Sequence, residues 1–126
     1  MKYKIALSED ETYVRVQVFE TINGNMEREF AGNAIKIAKQ RKINKFLVDV
    51  RGTPNIANSI EHYLLGYEDM NRFGLNRKTK IAILADTNDL SHNFIETVII
   101  NAGYRCRVFP DEDAALEWLG PIGGTH

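Results

Sequence analysis

One stretch constrains this chain more than any other: Lys45-Phe-Leu-Val-Asp-Val-Arg-Gly52, followed by Thr53-Pro-Asn-Ile-Ala-Asn-Ser59 and then Ile60-Glu-His-Tyr-Leu-Leu-Gly-Tyr67. An apolar run from Phe46 to Val50 that closes on a charged pair and a glycine is the pattern of a strand buried on both faces of a parallel sheet. Pro54 holds Thr53 extended, and Asn58 or Ser59 then opens a helix. In open α/β sheets, ligands and partners meet the carboxyl ends of strands and the helix N-termini beside them. Any site in this chain is therefore expected at this strand end and helix start.

The flanking patterns extend the sheet in both directions. Tyr3 to Leu7 and Thr12 to Glu20 alternate, and the polar Ser8-Glu-Asp-Glu11 between them is of hairpin length. Asn25 is expected to cap a helix from Met26 to about Arg41, whose stripe is Met26, Phe30, Ala34, Ile37 and Ala38. Glu27 and Glu29 in its first turn and Lys39, Arg41 and Lys42 in its last suit the helix dipole, and Gly32 is its one weak point. Lys80 to Ala85 reads as a second buried strand ending at Asp86. Asp89 is expected to cap a helix from Leu90 to Ala102, closed by Gly103. That helix carries Phe94, Ile95, Val98, Ile99 and Ile100, apolar over so much of its circumference that part of it is free for a partner unless neighbours cover two sides. Tyr104 to Phe109 alternates arginines with apolar residues, as an edge strand does. Pro110-Asp111 starts a last helix to Leu119. The order β-β-α-β-α-β-α-β-α predicts an α/β fold with one mixed, mostly parallel sheet and an N-terminal hairpin. It spans a single domain over 1–120, with 121–126 as a frayed tail.

Composition narrows the function classes. A net charge of −1 over 126 residues gives no footprint for nucleic acid or an anionic membrane surface. A single cysteine, Cys106, excludes an internal disulfide and suits a reducing interior, and no apolar run approaches spanning length. A cytoplasmic protein is expected. His62, His92 and His126 fit no metal spacing, and no Gly-x-Gly-x-x-Gly or phosphate-binding loop is present. The residues nominate no catalytic group, no metal site and no cofactor, so a non-enzyme is expected. His62 and His92, each in the first turn of a predicted helix, are expected to be exposed.

The strand Phe-Leu-Val-Asp-Val-Arg-Gly52, the strand Lys80-Ile-Ala-Ile-Leu84 and the ending Val108-Phe-Pro-Asp-Glu-Asp-Ala-Ala-Leu-Glu-Trp-Leu119 resemble the SpoIIAA-like family. These are small bacterial proteins whose fold is similar to the STAS domains of anti-sigma-factor antagonists and, in outline, to CRAL-TRIO lipid-carrying domains. The resemblance implies a SpoIIAA/STAS-like fold and a non-catalytic regulatory or protein-interaction module. The antagonists carry an Asp-Ser-Ser/Thr-Gly-type turn after the central strand, where one serine accepts phosphate from a partner kinase. Here the turn reads Asn58-Ser59-Ile60, so Ser59 is the candidate phosphoacceptor, with Asn in place of Asp and Ile in place of Gly. Capping by Asn58 with Glu61 in a capping box is the favoured reading of the same residues.

Asp49 and Arg51 point to one sheet face, and with Asp86 they are candidates for a charged rim that binds a ligand head or a partner. A structural ion pair is the plainer account. Ile60, Tyr63, Leu64, Tyr67 and Met70 follow helical spacing and are expected to face the core, with Tyr63 and Tyr67 also suited to a pocket lip. The expected partner-binding surface is thus 52–67, comprising Asn58, Ser59, Tyr63 and Tyr67 together with Asp49, Arg51 and Asp86. Its partner is a protein or a second copy of the chain in a homodimer. The alternative is a carrier for a small apolar or lipid-like ligand, peripherally membrane-associated, with a pocket beneath the 60–73 helix.

Overall fold

A computed structural model describes residues 1–120, and the tail expected to be frayed lies outside the described residues. Strands β1 (Tyr3–Leu7) and β2 (Val14–Val18) form the antiparallel hairpin, registered Tyr3 to Val18 and Leu7 to Val14. Strands β3 (Lys45–Asp49), β4 (Lys80–Leu84) and β5 (Arg105–Phe109) follow in parallel. The sheet order is β1-β2-β3-β4-β5, so each parallel neighbour is reached through a helical crossover.

Alternation sorts the side chains into two cores. Val14, Val16, Phe46, Val50, Ile81, Ile83 and Cys106 face the larger one, while Leu47, Ala82, Leu84 and Phe109 face the smaller. The smaller face is covered by α5 (Glu112–Leu119), which buries Ala115 and Leu119 after Asp111 caps it, accepting from Ala114 N–H at 3.3 Å. Fully burying a side chain such as Leu119 contributes about 1.5–3 kcal/mol.

The larger face lies beneath three helical segments. The first, α1 (Gly24–Arg41), buries Met26, Phe30, Ala34, Ile35 and Ala38. Its cap is Asn23 rather than Asn25. Asn23 is extended (φ −106°, ψ 173°), so its Oδ1 reaches the Met26 N–H at 2.9 Å, whereas Asn25 already lies in the first turn. Gly32 has a packing role, because a Cβ there would stand 3.2 Å from the Phe73 ring.

The second segment departs from the expected regular helix. It runs as α2 (Ser59–Tyr63), a π-helical stretch (Leu64–Asp69) and a final turn α3 (Met70–Arg72). Within it the Met70 N–H donates to the Leu65 carbonyl five residues back. The buried residues are His62, Leu65, Gly66, Asp69 and Met70. Of the stripe expected to face the core, only Met70 is buried; Ile60 is 69% exposed, and Tyr63 and Tyr67 are also exposed. The buried face is itself a regular i, i+3, i+4, i+7, i+8 stripe, in which His62 and Asp69 are polar.

The third segment is α4 (Asn93–Asn101), which starts three residues later than the sequence suggests. Asp89 closes a preceding turn instead of capping the helix, accepting from the Ser91 N–H at 3.0 Å and the Ser91 hydroxyl at 2.6 Å. Ile95, Val98 and Ile99 pack inward, leaving Phe94 and Ile100 exposed. Among the described residues, no helix is long and apolar enough to cross a membrane.

Candidate functional site

Where β3 emerges, Val50 N–H still donates to the Leu84 carbonyl at 2.9 Å, and then the chain leaves the sheet. Asp49 sits on the α5 side and is 4% exposed. Arg51 grips it with Nε at 3.0 Å and Nη2 at 2.8 Å, and Arg15 Nη2 adds a third contact at 3.1 Å. Glu112 on α5 closes the cluster, 3.1 Å from Arg15 and 3.5 Å from Arg51. Burial by itself would raise the Asp49 pKa, but hydrogen bonds and charge from Arg51, with charge from Arg15, outweigh it and hold the carboxyl below its ordinary range. Arg51 is raised in turn, chiefly by its hydrogen bond to Asp49. Asp86 takes a different role, with its Oδ2 accepting the Gly52 N–H at 2.8 Å. Asp49 and Arg51 therefore form a joint between β2, β3 and α5, while Asp86 anchors the loop beside them.

The loop 53–58 is held from three sides. Ile22 N–H donates to the Pro54 carbonyl and Ile56 N–H to the Ile22 carbonyl, both at 2.8 Å. Asn55 N–H donates to the Ser91 hydroxyl at 2.9 Å. Asn58 and Glu61 form the capping box: Asn58 Oδ1 accepts the Glu61 N–H at 2.8 Å, and Glu61 Oε1 accepts the Asn58 N–H at 2.9 Å. Ser59 follows as the first helical residue and is exposed.

Beneath this loop lies a set of buried polar groups. His62 and His92, expected at the surface, are 3% and 2% exposed. His62 turns inward because the 59–72 segment buries the face that carries it, and its Nδ1–H donates to Glu27 Oε1 of α1 at 3.1 Å. His92 turns inward because α4 begins after it. Its Nε2–H donates to the Thr53 carbonyl at 3.1 Å and lies 3.2 Å from Asp89 Oδ2. Desolvation favours the neutral ring and pushes the His92 pKa below its ordinary value, outweighing the nearby charge of Asp89, which favours the protonated form. Asn55 Nδ2 also reaches Glu27 Oε1 at 3.4 Å. Next along α1, Arg28 holds the buried Asp69 through Nε and Nη2, with Nη2 to Oδ1 at 2.9 Å. Sequence reasoning missed Glu27, assigning it to the helix dipole. The available signal was its place between Met26 and Phe30, at the edge of the apolar stripe.

Glu27, Asn55 and His92 form one polar end of a cavity of about 80 Å³ between the sheet and the three helical segments. Its other walls are apolar, among them Phe30, Ala34, Leu65, Met70, Ile83 and Ile95. Above it the outer surface is aromatic. Tyr63 meets Phe94 edge-on with centroids 5.8 Å apart and lies 5.8 Å from Tyr67, while Ile56, Ile60 and Leu90 stand exposed. Tyr63 and Tyr67 are thus surface groups above the cavity rather than its lining. Cys106 is buried in the larger core, and burial pushes its thiol pKa up, so it offers no thiolate. Among the described residues, no three His, Cys, Asp or Glu side chains gather as a metal set.

No family model matches the chain, and no curated protein matches it in sequence. Among solved structures it is similar to an uncharacterised protein of the DUF3478 family from Shewanella loihica PV-4, described as having a SpoIIAA-like fold. The two share 18% sequence identity at a TM-score of 0.58, over 93% of this chain and 91% of the other. With the mixed five-stranded sheet and its helical crossovers, this likeness gives the chain a SpoIIAA-like α/β fold.

Proposed function

We propose that the chain is a non-catalytic, STAS-like interaction module that docks a protein partner on the 52–67 surface, extended by Phe94. The carrying observation is the exposed aromatic cluster Tyr63, Tyr67 and Phe94, with Ile56 and Ile60 also exposed on the stretch that follows β3. Water gains nothing from that surface, and aromatic residues in such a cluster are efficient anchors for a partner. Asn58 caps the helix without needing Ser59, so Ser59 remains exposed for modification at the helix start, and phosphate there would reverse the apolar character of the rim. Sedimentation velocity and partner capture from the source cell, on wild type and Tyr63→Ser, test the reading. Loss of self-association or of a captured protein in the variant supports it. Identical behaviour of both proteins, with neither associating, overturns it.

A second reading is supported by the cavity: a carrier for a small apolar ligand held beneath the 59–72 segment. At about 80 Å³ the space suits a compact molecule, and a long acyl chain does not fit without displacement of that segment.

A further inference from the structure

We infer that the cavity is a binding site for a compact aliphatic molecule whose hydroxyl head donates a hydrogen bond to Glu27. This rests on the carrier reading and adds the chemistry of the ligand. Glu27 is 3% exposed, and its Oε2 has no hydrogen-bond partner among the described residues. Its Oε1 takes both available donors, His62 Nδ1–H and Asn55 Nδ2–H. The His62 nitrogen is also 3.1 Å from Oε2, but the hydrogen bond runs to Oε1. A buried acceptor without a donor is unfavourable, and Glu27 lines a space large enough to admit one.

The rest of the cavity fixes the ligand's other end. Phe30, Ala34, Leu65, Met70, Ile83 and Ile95 present only carbon and sulfur, so the body must be apolar. The volume of about 80 Å³ corresponds to roughly three waters, or an aliphatic chain of about four or five non-hydrogen atoms. Three waters would satisfy Oε2 but would leave most of their own hydrogen bonds unmade against these walls. An amphiphile with one donor satisfies the carboxylate and wets nothing else. The covering segment carries the π-helical stretch, an irregularity frequent at functional sites.

Two isomers that differ only in the donor separate this inference from its foundation. Amide resonances of ¹⁵N-labelled protein are followed during titration with 1-butanol and with methyl propyl ether, and xenon is used as a purely apolar probe. The expected result is saturable shifts at Ala34, Asn55 and Ile95, with 1-butanol at least tenfold tighter than the ether. Glu27→Gln puts an amide donor in place of Oε2 and should erase that preference. Ala34→Leu fills the space and should abolish the shifts for all three probes. Equal binding of the isomers to wild type, with xenon also bound, overturns the head-group assignment and leaves the carrier reading standing. No saturable shift from any probe overturns both.

Discussion

The helix α1 and the segment 59–72 both lie on the same face of the sheet, yet they are built on different terms. Helix α1 runs 18 residues without a break, with an Asn23 cap, basic residues in its last turn and a left-handed Lys42 to end it. Its buried face is mostly hydrocarbon. The 59–72 segment begins with a capping box, loses regular helical geometry after Tyr63, and buries His62 and Asp69 while exposing Ile60, Tyr63 and Tyr67. The two are complementary: α1 supplies Glu27 and Arg28, and the segment supplies His62 and Asp69. A polar residue can join a buried stripe when its partner is delivered by another element, and the apolar residues it displaces then form an outer surface.

Substitutions on the two elements test this contrast. Phe30→Ala on α1 removes a buried aromatic beside an existing cavity, and should lower stability by about 3–5 kcal/mol in urea denaturation. Asp69→Ala leaves Arg28 without its buried carboxylate partner. Because Arg28 is 38% exposed at its side chain and can be rehydrated, the expected loss is smaller, about 2–3 kcal/mol. A loss below about 0.5 kcal/mol would mean that Asp69 does not hold the segment to α1.

The pH response addresses the neighbouring buried histidine. The His92 pKa is lower in the folded state than its ordinary value, so the unfolded chain takes up the proton first. The resulting stability is complete above about pH 6.5 and is lost as pH falls toward the folded-state pKa, at no more than about 1.4 kcal/mol per pH unit. His92→Gln, which retains an Nε2–H for the Thr53 carbonyl, should flatten denaturation midpoints between about pH 6.5 and 5. An unchanged slope would assign the pH response to other groups.

The smallest effect is expected on the outer face. Ile60→Ser should change stability by less than about 0.5 kcal/mol, because the side chain is 69% exposed, while weakening partner capture. A large destabilisation would return Ile60 to the core, where its spacing first placed it.

The elements that were legible in the sequence are those whose pattern is satisfied locally or by generic burial. Phe46 to Val50 and Lys80 to Leu84 read as strands buried on both faces because Phe46, Leu47, Val48 and Val50, and Ile81 to Leu84, meet hydrocarbon above or below the sheet. Asn58 with Glu61 read as a capping box because its two hydrogen bonds close within four residues. The candidate site was only partly legible. The strand end was located, but Asp86 was grouped with Asp49 and Arg51, whereas the loop turns its carboxylate onto the Gly52 backbone and Glu112 arrives from the far end of the chain.

The sequence by itself determined the order of strands and helices, the alternation that sorts two cores, and the strand end where a site would lie. These follow from period and turn chemistry, which act over a few residues. Tertiary structure alone decided which face of 59–72 is buried, that His62 and His92 are interior, and that Glu27 keeps one oxygen without a donor beside a cavity. The physical reason is the cost of burying a polar group, which is offset by a partner 35 residues away for His62 and, beside the nearby Arg72, by one 41 residues away for Asp69. No local pattern encodes such a partner, and the chain must fold before the two can meet.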